Sequence, residues 1–255
     1  MTGSRALFVA TNAGDGTRVA RAAATAPQRW AIARRAADGW LEATHQLLGD
    51  GVFGGETHRA RIEARAGSRV AIRAVAATSL RGANPSATVT HLRAESGARL
   101  LHLPGALIPH RGADHRNVLR NDAAADACLL AVSLVVPGRV GMAERNAFCR
   151  LQLRTVVRVG GVLALAEDVV VEPWRFAIDG PAGFAGDGVS ISVVALGPWA
   201  VAKPAWWDEW RDMPGVAGGA GRLRAGGVVF RGLCSNLGVA TALVGERAQR
   251  ARHGL

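Results

Sequence analysis

Charged and apolar residues alternate strictly through Arg59-Ala-Arg-Ile-Glu-Ala-Arg65, the two-residue period of a strand with one wet face. The period returns at Leu151, Leu153, Thr155, Val157 and Val159, with Gln152, Arg154, Val156 and Arg158 on the opposite face. Gly160-Gly161 and a second run from Val162 to Glu172 follow. Glycine accepts the positive φ that tight hairpin turns need, so this stretch predicts a hairpin. Further strands are predicted at Val70–Val75, Ala87–Leu92, Arg99–Leu103, Leu129–Val136, Val189–Leu196 and Val228–Leu233. Helix is scarcer. Asn236 is placed to cap a C-terminal helix running to about Arg250, with Leu237, Ala240, Leu243 and Val244 on its inner face. A short helix is predicted at Pro204–Arg211, and Ala20–Ala37 is helical by propensity apart from Pro27. The Gly-rich stretch Gly215–Gly227 reads as a mobile loop. No repeat at a fixed period and no low-complexity linker stands out. The expectation is therefore a mainly β chain, with residues 1–255 forming a single domain that carries a few short helices.

Composition adds a charge question. The 255 residues include 31 Lys+Arg against 20 Asp+Glu, a net charge of +11. Such a balance suits nucleic acid, an anionic membrane or an acidic protein partner. Nearly all of the basic residues are Arg, Lys203 is the sole Lys, and Tyr is absent. GC-rich codons produce the same bias, so the charge is either functional or compositional. Cys128, Cys149 and Cys234 are far apart and form no CxxC pair, which suggests neither a disulfide framework nor a zinc knuckle. Ala6–Ala10 is too short for a signal peptide, and the uncharged stretch Gly188–Ala202 is broken by Gly197-Pro198. A cytoplasmic protein without a membrane span is expected.

Enzyme templates are missing: there is no GxSxG, no HExxH and no P-loop. A carbohydrate-active site would need two acids at glycosidase separation, which sequence does not display.

Asp50–Glu56, Ala76–Thr78, Leu101–Ala113 and Gly138–Glu144 are four segments that, in this order, resemble the UreD (UreH) family of urease accessory proteins. Asp50-Gly-Val-Phe-Gly-Gly-Glu56 is similar to the family's GG-hydrophobic-hydrophobic-GGD, with Asp50 for a Gly and Glu56 for the Asp. Ala76-Ala-Thr78 is similar to P-x-A-T-K, with Ser79 where Lys is usual. Leu101-His-Leu-Pro-Gly-Ala-Leu-Ile-Pro-His-Arg-Gly-Ala113 resembles L-x-x-L-P-x-P-x-I-P-x-x-G-A. Gly138-Arg139 with Glu144 resembles GR-x-x-x-GE, Ala143 replacing a Gly. The resemblance is strongest over residues 45–175, and residues 1–44 match poorly. It implies a β-helical fold and a non-enzymatic role in urease maturation and metallocentre assembly. It implies partners similar to UreF and to the nickel-carrying GTPase UreG, docking of the complex on apo-urease, and nickel passing through a tunnel. No tightly bound cofactor is expected, only nickel in transit.

A nickel path needs weak oxygen or imidazole contacts, since thiolates would trap the ion. Glu56, after the flexible Gly54-Gly55 pair, is the first candidate, against the alternative of a solvated carboxylate at a strand start. Glu144 is the second, although Arg139 could hold it in a bidentate pair instead. His102, His110, Asp114 and His115 flank the Leu-Pro…Ile-Pro segment as further candidates, although His102 alternates with leucines as a solvent-facing residue would. Trp206, Trp207 and Trp210 are candidate partner-binding anchors. The competing function is a basic, β-rich nucleic-acid-binding protein.

Overall fold

A computed structural model of the chain describes residues 3–176, 178, 184, 188–202 and 209–252. Five strands open the fold: β1 (Gly3–Asn12), β2 (Thr17–Ala24), β3 (Gln28–Arg35), β4 (Leu41–Leu47) and β5 (Val52–Phe53). Three coils follow. They are β6 (Thr57–Ala64), β7 (Arg69–Ala74) and β8 (Thr78–Arg81); β9 (Ser86–Ala94), β10 (Arg99–Leu103) and β11 (Leu107–Pro109); and β12 (Asp114–Ala123), β13 (Cys128–Val135) and β14 (Gly138–Arg139). The chain then forms β15 (Glu144–Arg145), β16 (Arg150–Val159), β17 (Val162–Val171), β18 (Val189–Leu196), the short α1 (Pro198–Ala202), β19 (Val216–Leu223), β20 (Gly227–Cys234) and the terminal α2 (Leu237–Arg252).

The strands stack in parallel, coil on coil. One sheet has the order β17-β16-β12-β9-β6-β1-β2, and the facing sheet has β19-β20-β18-β13-β10-β7-β4-β3. Pairing is parallel from β1 through β6, β9 and β12 to β16, and from β4 through β7 and β10 to β13. Antiparallel hairpins close both ends. This is the β-helix-like, mainly β architecture that the sequence implied, with strand at 59% and helix at 10%.

The register exposes a repeat. Thr57, Ala87 and Arg116 stand side by side, as do Val70, Leu100 and Leu129, so each coil takes about 30 residues. The corner between the two sheets is written three times: Ala64 to Val70, Ala94 to Leu100 and Ala123 to Leu129. Gly67 and Gly97 supply its positive φ in the first two.

Inward positions stack into rows across the coils. Val70, Leu100 and Leu129 are fully buried and pack against Ile62, Leu92 and Val157 from the opposite sheet. Helix α2 covers the outer face of the second sheet, burying Ala240, Leu243 and Val244 over Leu130, Val132 and Phe230. Asn236 caps it as expected, its side-chain oxygen accepting from the Val239 N–H at 3.0 Å. Leu237 is the exception to the expected inner face, being 37% exposed. The Gly160-Gly161 hairpin forms, both glycines having positive φ.

Two expectations are corrected. Residues 20–37 are the strands β2 and β3 rather than helix: Pro27 interrupts them, and pairing with β1 and β4 satisfies their backbone groups. The stretch 215–227 is largely β19, paired to β20 along its length, rather than a loop. Gly218 is there for close approach, since a Cβ on it would lie 2.7 Å from the Phe230 ring. The short helix expected from Pro204 lies mostly outside the described residues, with a 3₁₀ turn at Glu209–Asp212. Among the described residues, no helix is long and apolar enough to cross a membrane.

Candidate functional site: a polar cavity inside the β-helix

The interior changes character along the strands. Rows running Ala10, Ala64, Ala94, Ala123 and Phe8, Ile62, Leu92 are apolar, whereas the row Ser4, His58, Thr88, Asn117 is polar, as are its neighbours Ser86 and His115. A cavity of about 540 Å³ lies between the sheets at that end. Its walls include Gln28, His45, His58, Thr88, His102 and Asn117. It reaches Asp50 and Arg81 on the turns around β5 and β8, and these two are the only charged side chains on its lining among the described residues. A smaller lobe of about 50 Å³ continues past Thr90, His102 and Asn117 to Ser133 and Leu134.

Two hydrogen-bonded groups reach this space, through Gln28, His45 and His58 in one and Thr88 and Asn117 in the other. In one, Glu56 Oε2 lies 3.0 Å from His58 Nε2, His58 Nδ1 lies 2.7 Å from Ser4 Oγ, Gln28 Nε2 donates to Ser4 Oγ at 2.7 Å, and His45 Nε2 lies 2.9 Å from Gln28 Oε1. In the other, His115 bonds Ser86 at 2.8 Å and Thr88 at 3.0 Å, and Thr88 donates to Asn117 at 2.8 Å. His102 is 6% exposed, and its Nδ1 is buried with no hydrogen-bond partner.

Burial dominates the electrostatics, because a charged imidazole is poorly solvated there. It lowers His45 to about 4, with the nearby His58 adding to the effect. It lowers His102 to about 3, with His45 contributing, and His115 to about 4, with His58 contributing. At neutral pH these three imidazoles are uncharged and each keeps one lone-pair nitrogen.

The predicted site residues separate in space. His102 lines the cavity and His115 is completely buried beside it, so neither faces solvent; inward rows of the β-helix hold both. Glu56 is not on the lining. It sits behind His58, also accepting the Phe53 N–H at 2.9 Å. Glu144 forms the bidentate pair with Arg139, at 2.8 and 2.6 Å, which holds its carboxyl below the usual range. His110 is buried outside the cavity, and burial together with Arg81 and Arg139 lowers it. Asp114 lies 4.0 Å from Arg150. Trp210 is fully buried against Phe230, with ring centroids 4.1 Å apart, so it anchors this chain's own core and offers no surface to a partner. Trp206 and Trp207 lie outside the described residues.

Ser4, Gln28, His45 and His58 were missed. They come from four separate strands, and only the three-dimensional register joins them. The usable signal was His58 at an inward position of an otherwise alternating strand. Among the described residues, no group of three or more His, Cys, Asp or Glu side chains is gathered so as to hold a metal ion.

Fold and interior together define a β-helical protein with a polar, imidazole-lined cavity and no assembled metal cage among the described residues. Comparison with known proteins gives that class a family. Residues 2–255 match the model of the UreD urease accessory protein family, and the chain belongs to it. It is similar to the urease accessory protein UreD of Deinococcus radiodurans, with 31% identity over 212 residues, 80% of this chain and 74% of the relative. It is also similar to the urease accessory protein UreD of Actinomyces naeslundii, with 24% identity over 214 residues, 80% of this chain and 79% of the relative. The family is one of accessory proteins for urease rather than of catalysts.

Proposed function

We propose that this chain is a non-catalytic urease maturation factor that conducts nickel from a GTPase partner to the active site of apo-urease. The observation that carries the reading is the cavity, lined by imidazoles and amides, inside a member of this family. Such ligands suit an ion in transit. Imidazole accepts Ni²⁺, yet isolated imidazoles exchange it far more readily than a closed thiolate site would. None of the three cysteines is on the lining. Partners similar to UreF and UreG complete the assembly in a cytoplasmic setting.

Surface chemistry supports association with other proteins. Trp174 is 71% and Phe176 57% exposed just beyond the C-terminal end of β17, where Val169 and Val170 are also exposed. Trp174 and Phe176 are further candidate anchors beside Trp206 and Trp207, whereas Trp210 is buried in the core. The outer face of the first sheet carries exposed Arg59, Arg61, Arg116, Arg120, Arg154 and Arg158. Its outward positions on β6, β9, β12 and β16 hold no Phe or Trp on which a base could stack, so the basic face fits an acidic protein better than nucleic acid.

The test is reconstitution. Urease co-expressed with UreF- and UreG-like proteins should lack nickel and activity without this chain and regain both with it, and the chain should co-purify with the complex. Equal nickel content with and without it would refute the proposal.

A further inference from the structure

The bonds from Glu56 to His45 have a direction. A carboxylate only accepts, so the His58 Nε2 facing Glu56 Oε2 at 3.0 Å carries hydrogen. On the other side of the ring, His58 Nδ1 lies 2.7 Å from the Ser4 hydroxyl. The Ser4 oxygen has two lone pairs and accepts from Gln28 Nε2 at 2.7 Å. That amide nitrogen also donates to the Arg59 carbonyl at 3.2 Å, which fixes the same orientation independently, because a carbonyl cannot donate. Gln28 Oε1 therefore faces His45 and accepts from its Nε2–H at 2.9 Å. The lone pair of His45 is left on Nδ1. This nitrogen has no hydrogen-bond partner among the described residues, and the residue lines the cavity.

His102 is the second half of the argument. Its ring is 6% exposed, lines both lobes, and has no hydrogen bond to protein at either nitrogen among the described residues. Buried polar groups are normally satisfied, and this one is left to whatever occupies the cavity.

We propose that His45 Nδ1 and the imidazole of His102 are the contact points for a divalent transition-metal ion inside the cavity, with Gln28 as the positioning residue that holds His45 in the metal-ready tautomer and Glu56 as the anchor of the chain. The inference rests on the conduit reading and names its contacts. Borderline ions of the Ni²⁺ type suit imidazole, and outer-shell partners that fix an imidazole tautomer typically change metal affinity about 10–100-fold.

The experiment uses the full chain with ¹⁵N-labelled histidine, long-range ¹H–¹⁵N correlation spectra at neutral pH, and Ni²⁺ alone as the probe. In the parent, His45 should show a protonated Nε2 and a bare Nδ1. Its signals and those of His102 should be the first of the seven histidines to broaden as Ni²⁺ is added. In Gln28→Met, His45 should populate both tautomers and need roughly tenfold more Ni²⁺ for the same broadening. A protonated Nδ1 in the parent overturns the proposal, as does broadening of other histidines while His45 stays sharp. The parent spectrum needs no variant, so the assignment is tested even if Gln28→Met fails to fold. Urease activation measured in parallel separates the two levels. If Ni²⁺ reaches His45 but Gln28→Met and His102→Ala activate urease fully, the site stands and the conduit reading falls. If Ni²⁺ ignores His45 while activation depends on the cavity, the site falls and the conduit reading stands.

Discussion

Glu56 gives the sharpest test of how the cavity wall is built. Both of its hydrogen bonds, from the Phe53 N–H at 2.9 Å and from His58 Nε2 at 3.0 Å, go to the same oxygen, Oε2. A carbonyl oxygen has two lone pairs, so Glu56→Gln can keep both bonds by placing its Oε1 there. Glu56→Ala loses both. It also leaves the His58 N–H without an acceptor, on a side chain only 5% exposed. An unsatisfied buried donor costs about 1–3 kcal/mol, and the lost turn bond adds about 1 kcal/mol. Glu56→Ala should therefore lose about 2–4 kcal/mol, a fall in Tm of roughly 5–15 °C for a chain of this size. Glu56→Gln should stay within about 1 kcal/mol of the parent. Thermal unfolding of the two purified variants beside the parent measures this. Equal destabilisation by Gln and Ala would show that the charge of Glu56 matters rather than its accepting oxygen. A neutral Glu56→Ala would show that His58 does not depend on it.

Two further outcomes follow from the same structure. Arg252 donates to Asp38, holding it at about pKa 2, and to Glu42, and lies 5.8 Å above the Trp40 ring. Arg252→Met should loosen the end of α2 by about 2–3 kcal/mol, read as faster amide exchange from Ala248 to Arg252; unchanged exchange would mean that apolar packing alone holds the helix. His102 falls to about 3 inside the fold, against 6.5 when free. Between those values the unfolded chain binds a proton that the folded chain does not, so stability is full above pH 6.5 and declines as pH falls. His102→Gln should flatten that decline by about one proton, or roughly 1.4 kcal/mol per pH unit, in denaturation series between pH 6 and 4.5; an unchanged slope would place His102 in contact with solvent.

Much of the fold was legible because strands announce themselves locally. Strict alternation at Arg59–Arg65, the Gly160-Gly161 turn and the Asn236 cap each depend on neighbours in sequence. What failed depended on partners far along the chain. Ala20–Ala37 has helical propensity, but β1 and β4 supply ladders that outweigh it. Gly215–Gly227 looked mobile because its glycines were read as freedom, when Gly218 instead makes room for Phe230. The coil repeat escaped because alignment rests on a corner pattern of Ala, Gly and one aliphatic residue, too sparse to notice without the stacked register. The site was half legible. His102 and His115 were found by their place in a motif. His45 and Gln28 lie in regions with no motif, and only the parallel stacking of coils brings them to the same cavity.

The central claim is that nickel crosses this interior, and Thr90 is the place to test it, because it lines both lobes of the cavity. Thr90→Phe would place an aromatic ring where the smaller lobe, of about 50 Å³, begins. The measurement is the nickel content and activity of urease matured with Thr90→Phe and with the control Thr90→Ser, at matched levels of an intact accessory complex. The conduit account predicts nickel-poor, inactive urease with Phe and parental activation with Ser. Full nickel loading through a chain plugged at Thr90 would contradict it.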